Sequence, residues 1–176
     1  MNIVLIGFMG SWKSTVGRHV SKRLQKKLVE LDQLVLEKSG YKNVTEVFAK
    51  IGELGFRQLE EQIVRQVANQ DDVIVSTGGG IVMNQTNVLY LKQNAKIYYL
   101  YAPFEVLEKR IKNLENRPLF KDRAKAVELY EIRHPLYSHY ADERVDTTDD
   151  TPFAVVEKLI TLLPPMPSFV GGGGDS

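Results

Sequence analysis

Gly7-Phe8-Met9-Gly10-Ser11-Trp12-Lys13-Ser14-Thr15 follows directly on Asn2-Ile3-Val4-Leu5-Ile6, a run dominated by aliphatic and β-branched residues. An apolar strand that hands over to a glycine-bearing turn and then a helix is the local architecture that holds phosphate. Glycines let backbone N–H groups curl around the oxygens, a lysine reaches the outer phosphates and a hydroxyl holds magnesium. The helix that follows points its positive end at the same anion. Of the pattern Gly-x-x-x-x-Gly-Lys-Ser/Thr, the chain supplies Gly7, Lys13 and Ser14, with Gly10, Ser11 and Thr15 beside them. At the second glycine stands Trp12, the one tryptophan of the chain.

That substitution has a calculable cost. A left-handed backbone costs a non-glycine residue roughly 1 to 2 kcal/mol. Displacing one or two charge-assisted hydrogen bonds, at about 1.5 to 3 kcal/mol each, would lower nucleotide affinity on the order of tenfold to ten-thousandfold. The loop is therefore a phosphate-binding loop (P-loop) with one altered position, and the other reading is an ordinary strand-to-helix turn. Val16, Val20 and Leu24 on one face of the following segment support the helix the P-loop requires.

The chain has 176 residues, 43% of them hydrophobic, which suits one α/β domain spanning 1–163. The segment 164–176, rich in proline and then glycine, reads as a flexible tail. A net charge of +1 gives no reason to expect nucleic acid or an anionic membrane as partner. No cysteine is present, which excludes disulfides and thiolate chemistry. Without a signal-like N-terminus or a run long enough to span a bilayer, a cytoplasmic enzyme is the simplest expectation.

Further along, Leu28-Val29-Glu30-Leu31-Asp32 reads as a strand whose two acids, spaced i and i+2, point to one side at the ligand-binding edge of the sheet. Alternatively, Asp32 caps a helix over 33–38. Short and longer helices are expected over 45–50 and from Gly52 onward, with Arg57 near the start of the second. A cation there is disfavoured by the helix dipole, so Arg57 either meets an anion or is a plain surface arginine. Asp72 to Ser76 reads as a strand running into Thr77-Gly78-Gly79-Gly80, a close-approach site for a ligand or merely a turn. Ile81 to Met83 should return to the core, and Lys96 to Tyr101 should form another strand. Arg117-Pro118-Leu119 follows a helix from Phe104, and an arginine on an exposed loop there suits a lid over phosphoryl transfer. A helix over 122–140 carries Arg133, with Pro135 implying a kink or a break. Glu143 to Asp146 reads as the last strand, and Pro152 lies in the first turn of the closing helix. His19, His134 and His139 are scattered, so surface or capping roles are expected rather than a metal centre.

Taken in order, Gly-Phe-Met-Gly-Ser-x-Lys-Ser-Thr, the acid pair, Gly-Glu-x-x-Phe-Arg-x-x-Glu, Thr-Gly-Gly-Gly, Arg-Pro-Leu and Arg-x-Pro-Leu-Tyr resemble the shikimate kinases over residues 2–162. The resemblance implies a P-loop kinase fold: three layers, a five-stranded parallel sheet flanked by helices, and a mobile lid. It implies transfer of the ATP γ-phosphoryl to the shikimate 3-hydroxyl with Mg2+, on the route to aromatic amino acids. Its partners would be ATP and shikimate, and the protein would be a monomer. Carried over by position, Lys13 meets the β- and γ-phosphates, and Gly10, Ser11, Trp12, Ser14 and Thr15 complete the loop. Ser14 and Glu30 fall at the magnesium, with Glu30 replacing the family's usual aspartate. Asp32 orients or deprotonates the attacking hydroxyl. Arg57 and Arg133 hold the substrate carboxylate beside Gly79 and Gly80. Arg117 is the lid arginine, and Arg110 and Pro152 flank adenine. The alternative is a non-catalytic relative, natural or engineered, that keeps the substrate pocket but binds nucleotide poorly; a kinase for another small polyol acid is the runner-up on substrate.

Overall fold

A computed structural model describes residues 1–111 and 121–165. Arg117 and its neighbours, and most of the 164–176 segment, lie outside the described residues.

The first strand, β1 (Asn2–Ile6), is buried along its whole length. A strand covered on both faces must be apolar on both, which is why it reads as an unbroken run rather than an alternation. The two faces nevertheless serve different layers, because successive side chains point opposite ways. Ile3 and Leu5 join Val16, Val20, Val155 and Leu159 in one core, under α1 (Lys13–Leu24) and α7 (Pro152–Leu162). Val4 and Ile6 join Phe56, Ile63, Val64 and Tyr137 in the other, under α3 (Val44–Ala68) and α6 (Arg123–Tyr140). The remaining strands are β2 (Leu28–Glu30), β3 (Ile74–Ser76), β4 (Ala95–Tyr101) and β5 (Glu143–Asp146). Helices cover both faces of the five-stranded sheet they form with β1, in the order β2-β3-β1-β4-β5, every pairing parallel. The expected three-layer parallel architecture is what forms. Among the described residues, no helix is long and apolar enough to cross a membrane.

Four local expectations change. The second strand stops at Glu30 instead of Asp32, and Leu31 opens α2 (Leu31–Ser39). The cause lies in its partner: Glu30 pairs with Ser76, the last residue of β3, so no ladder remains to hold Leu31 and Asp32 extended. Asp32 then sits in the first turn of α2, where a carboxylate complements the dipole, while Glu30 takes the cap position without a side-chain cap bond. The expected 45–50 and post-52 helices run as one element, α3, interrupted at Gly52, whose φ of 72° and ψ of 176° are not helical. Phe48 and Phe56, stacked 4.5 Å apart, pack the two segments together across that kink.

Pro135 does not break α6, which runs from Arg123 to Tyr140 with the proline inside it. Three residues, Ile81–Met83, form a 3-10 turn of which Ile81 and Val82 are buried but Met83 is 48% exposed. Two further helices are α4 (Gln85–Lys92) and α5 (Phe104–Ile111), the second beginning at Phe104 as expected.

Candidate active site at the carboxyl edge of the sheet

The carboxyl ends of β1, β2 and β3 meet at one edge, and the loop after β1 fills the centre. Gly7 is required there by space: a Cβ would lie 2.7 Å from Ser11 Oγ and 2.8 Å from the Leu100 carbonyl oxygen. Gly10, at φ 78°, has the left-handed backbone that glycine adopts without strain. Lys13 folds over the loop, donating to the carbonyls of Gly7 at 2.7 Å and Phe8 at 3.1 Å. Ser14 and Thr15 lie in the first turn of α1, half-buried.

Trp12 has the backbone that the glycine pattern implies, φ 70° and ψ 20°, so the left-handed cost falls on a side-chain-bearing residue. Its indole packs against the α1/α7 core and lies under Arg110, whose Cζ is 3.5 Å from the ring centroid. Arg110 is itself fixed: it donates to the Gly10 carbonyl at 3.3 Å, to Thr147 Oγ1 at 3.0 Å and to the Thr147 carbonyl at 2.6 Å. Burial pushes its pKa down from the ordinary arginine value, and Asp150 opposes that shift. Pro152 opens α7, and the next residue, Phe153, lies against His19 of α1 with ring centroids 4.8 Å apart.

On the other side of β1, Ser14, Glu30, Asp32, Gln33, Leu36, Ser76 and Thr77 line one cavity of about 170 Å³. Glu30 and Asp32 thus share a pocket as expected, though one ends a strand and the other starts a helix. The glycines after β3 create room for charged groups. A Cβ on Gly78 would lie 2.7 Å from Asp32 Oδ1, and one on Gly80 would lie 2.7 Å from Arg57 Nη2. At Gly79 the nearest groups are Arg133 Nη1, at 3.4 Å, and the Tyr137 hydroxyl. Asp32, Arg57, Arg133, Gly79 and Gly80 are therefore one cluster. Within it, Arg133 Nε is buried without a hydrogen-bond partner among the described residues.

Two residues that touch this cluster fall inside the sequence motifs, yet the motifs alone assign them no part. Glu60, 2% exposed, pairs with Arg57 at 3.0 Å and faces the buried Asn87, whose Nδ2 is 3.5 Å away. Burial raises its carboxyl pKa, while Arg57 pulls it back and Asp32 pushes in the same direction as burial. Tyr137, fully buried, donates its hydroxyl proton to the Gly79 carbonyl. Their signal lay in the spacing: Glu60 is three residues from Arg57 and Tyr137 four from Arg133, the separations that share a helix face. His134, expected at the surface or in a cap, instead stacks on Tyr130 with an interplanar angle of 3° and bonds the Tyr99 hydroxyl at 2.8 Å. Among the described residues, no group of three or more His, Cys, Asp or Glu side chains is placed to hold a metal by itself.

Comparison with known proteins gives the family of the whole chain. The family model described as shikimate kinase matches residues 9–164. A shikimate kinase of Caldicellulosiruptor bescii is 38% identical over 164 residues, covering 92% of this chain and 94% of that protein. Among solved structures, the Acinetobacter baumannii shikimate kinase in complex with shikimate superposes with a TM-score of 0.85 at 32% identity, covering 92% and 91% of the two chains. That of Aquifex aeolicus gives 0.81 at 33% identity, covering 92% and 95%. With its fold, its loop and its relatives in agreement over nearly the whole chain, the protein belongs to the shikimate kinase family, enzymes that are phosphotransferases.

Proposed function

We propose that the protein transfers the γ-phosphoryl group of ATP to the 3-hydroxyl of shikimate, giving shikimate 3-phosphate and ADP. The observation that carries this reading is the pairing of two arginines, Arg57 and Arg133, across adjacent glycines beside an acid, Asp32, next to a P-loop. Guanidinium groups offer planar paired donors to a carboxylate, and the buried Nε of Arg133, without a partner among the described residues, is a donor such a carboxylate would satisfy.

In this reading the substrate carboxylate rests on Arg57 and Arg133, with the ring against the Gly79 and Gly80 backbone. Asp32 accepts the proton of the 3-hydroxyl as that oxygen bonds to the γ-phosphorus, and the bond from phosphorus to the bridging oxygen of ADP breaks. Lys13, held at the loop, moves onto the β- and γ-phosphates, and Gly10, Ser11 and Thr15 line their path. Arg117, outside the described residues, is assigned to the transferring group. Phosphoryl transfer depends on such positioning and charge neutralisation more than on covalent help.

The residues present suit Mg2+. Ser14 and Glu30 place hard oxygen donors in the same cavity as Asp32. Two protein oxygens are enough for an ion that keeps waters and takes its other ligands from phosphate. When bound, the ion neutralises charge on the β- and γ-phosphates.

Trp12 supports a refinement: nucleotide binding is weaker than an unaltered P-loop would give, because the residue is strained and its indole lies on Arg110. The second reading, a relative that keeps the substrate pocket and has lost turnover, rests on the same residue.

A coupled assay with ATP, Mg2+ and shikimate tests the function. Turnover is expected, and Asp32→Asn should lower kcat by about 10²- to 10⁴-fold, the usual contribution of a positioned base. Absence of shikimate phosphorylation in both the starting protein and Trp12→Gly would overturn the kinase reading. Activity in Trp12→Gly alone would establish the second one.

A further inference from the structure

Sheet order decides which end of a nucleotide lies where, granted the kinase reading above. The acceptor cluster of Asp32, Arg57 and Arg133 lies toward β3 and β2 from the central loop. A γ-phosphoryl group has to face that acceptor, so ribose and base must leave the loop in the other direction, past the ends of β4 and β5. The residues found there are Arg110, beyond β4, and Thr147, just beyond β5.

Arg110 is joined to the loop through the Gly10 carbonyl, and three acceptors in all hold its N–H edge. A guanidinium fixed by its edge presents its faces, and a face is what an aromatic base stacks on. One of those faces is already covered. The indole of Trp12 lies on it at 3.5 Å, the separation of an aromatic stack, and is backed by the α1/α7 core.

We propose that Trp12 is an internal occupant of the nucleobase position. The indole holds the Arg110 face that a purine would use, so the protein recognises its phosphoryl donor through the phosphates and discriminates weakly between bases. The residue therefore acts on the nucleotide twice, through its backbone at the phosphates and through its ring at the base.

The two effects separate in a pair of variants. Trp12→Ala removes the ring but keeps a Cβ on a left-handed backbone, whereas Trp12→Gly removes both. Binding of ATP, GTP, CTP and inorganic triphosphate, each with Mg2+, would be measured by titration calorimetry on the starting protein and both variants, with thermal unfolding as the check on folding. In the starting protein the four donors should bind within about threefold of one another, since a base that cannot stack adds little. In Trp12→Ala, ATP affinity should rise about tenfold while inorganic triphosphate stays within about threefold, because only ATP has a base to place on the vacated face. Trp12→Gly should add a further gain common to all four.

A fall in ATP affinity in Trp12→Ala would overturn the proposal, because it would make the indole part of the base site. So would ATP and triphosphate gaining in parallel, and only in Trp12→Gly, which would assign the whole effect to the backbone. Trp12 emission in the starting protein gives a second readout. A large change on adding ATP that inorganic triphosphate does not produce would show the base expelling the indole with ease, contrary to weak base discrimination. If the affinities follow the expected pattern while no variant phosphorylates shikimate, the occupancy stands and the kinase reading falls.

Discussion

Glu60 Oε1 accepts a hydrogen bond from Arg57 Nη1 at 3.0 Å, and only the arginine of the pair reaches solvent, at 23% side-chain exposure against 3%. Loss of the two partners is therefore asymmetric. Without Glu60, Arg57 can turn to water; without Arg57, Glu60 is a carboxylate enclosed by protein. Burial already raises the Glu60 pKa above 4.5, and Arg57 is the main opposing influence, so its removal raises that pKa further. A carboxyl whose folded pKa is raised binds its proton more tightly in the native state, so its contribution is lost as pH rises from 4.5 through the folded value. Arg57→Ala should thus cost about 2 to 3 kcal/mol near pH 8 and clearly less near pH 5, below the range for a fully buried pair. Adding Glu60→Gln should recover part of the loss at the higher pH. Urea unfolding of the three proteins at both pH values checks this, and a cost independent of pH would contradict it.

The glycines after β3 give a test confined to the substrate side. A methyl at Gly80 would meet Arg57 Nη2 at 2.7 Å, whereas at Gly79 its nearest neighbour is 3.4 Å away. Because the group met at Gly80 is the end of a flexible side chain, the fold should tolerate Gly80→Ala while Arg57 moves. KM for shikimate is expected to rise about tenfold, a loss of about 1.4 kcal/mol in binding, with the melting temperature nearly unchanged. Gly79→Ala should have a smaller effect. Steady-state kinetics with thermal unfolding on each variant decide the matter, and equal effects at the two positions would contradict the assignment of Arg57.

How far the sequence carries depends on the range of the interaction that does the work. The parallel sheet was legible because β1 must be apolar on both faces, and the P-loop because backbone geometry dictates glycine, lysine and hydroxyl at fixed separations. Asp32 was legible as a neighbour of Glu30 at the sheet edge, but as the strand's last residue or a helix cap rather than part of the helix's first turn: where β2 stops is decided by Ser76, far along the chain. Glu60 and Tyr137 stand within the sequence motifs, yet only packing shows one of them buried under Arg57 and the other bonded to Gly79. The contact of Trp12 with Arg110 joins α1 to α5 through side chains alone, so the sequence could flag the residue's strain but not what its ring covers.

Two other glycines set backbone strain alone, at Gly40, against strain with crowding, at Gly7, whose φ is 154°. Gly40 has φ 75°, close to that of Trp12, and among the described residues no atom beyond its own chain neighbours lies within 4 Å of the point where a Cβ would stand. Gly40→Ala should therefore lose about 1 kcal/mol, the left-handed cost by itself. Gly7→Ala adds contacts of 2.7 Å to Ser11 Oγ and 2.8 Å to a backbone oxygen, which cannot swing aside. A loss of about 3 kcal/mol or more is expected, in the range of strained or overpacked sites. Chemical denaturation of both variants measures the difference, and similar losses would show that the loop has room the distances deny.

His134 makes the acid side of stability a further test. Its Nδ1 is bonded to the Tyr99 hydroxyl and its ring lies flat on Tyr130, while burial first, and then the charge of Arg144, lower its pKa below 6.5. A base with a depressed folded pKa is protonated more readily in the unfolded chain. Its contribution is therefore complete above pH 6.5 and is lost as pH falls from there through the folded value. His134→Gln keeps a polar group near Tyr99 but removes the titration, so stability should fall less steeply in this variant between about pH 6.5 and pH 5. Near neutral pH the variant should be the less stable of the two, since it gives up the ring stack. Denaturant midpoints across that interval provide the comparison; parallel curves for the two proteins would mean that His134 takes up its proton as easily in the fold as in the open chain.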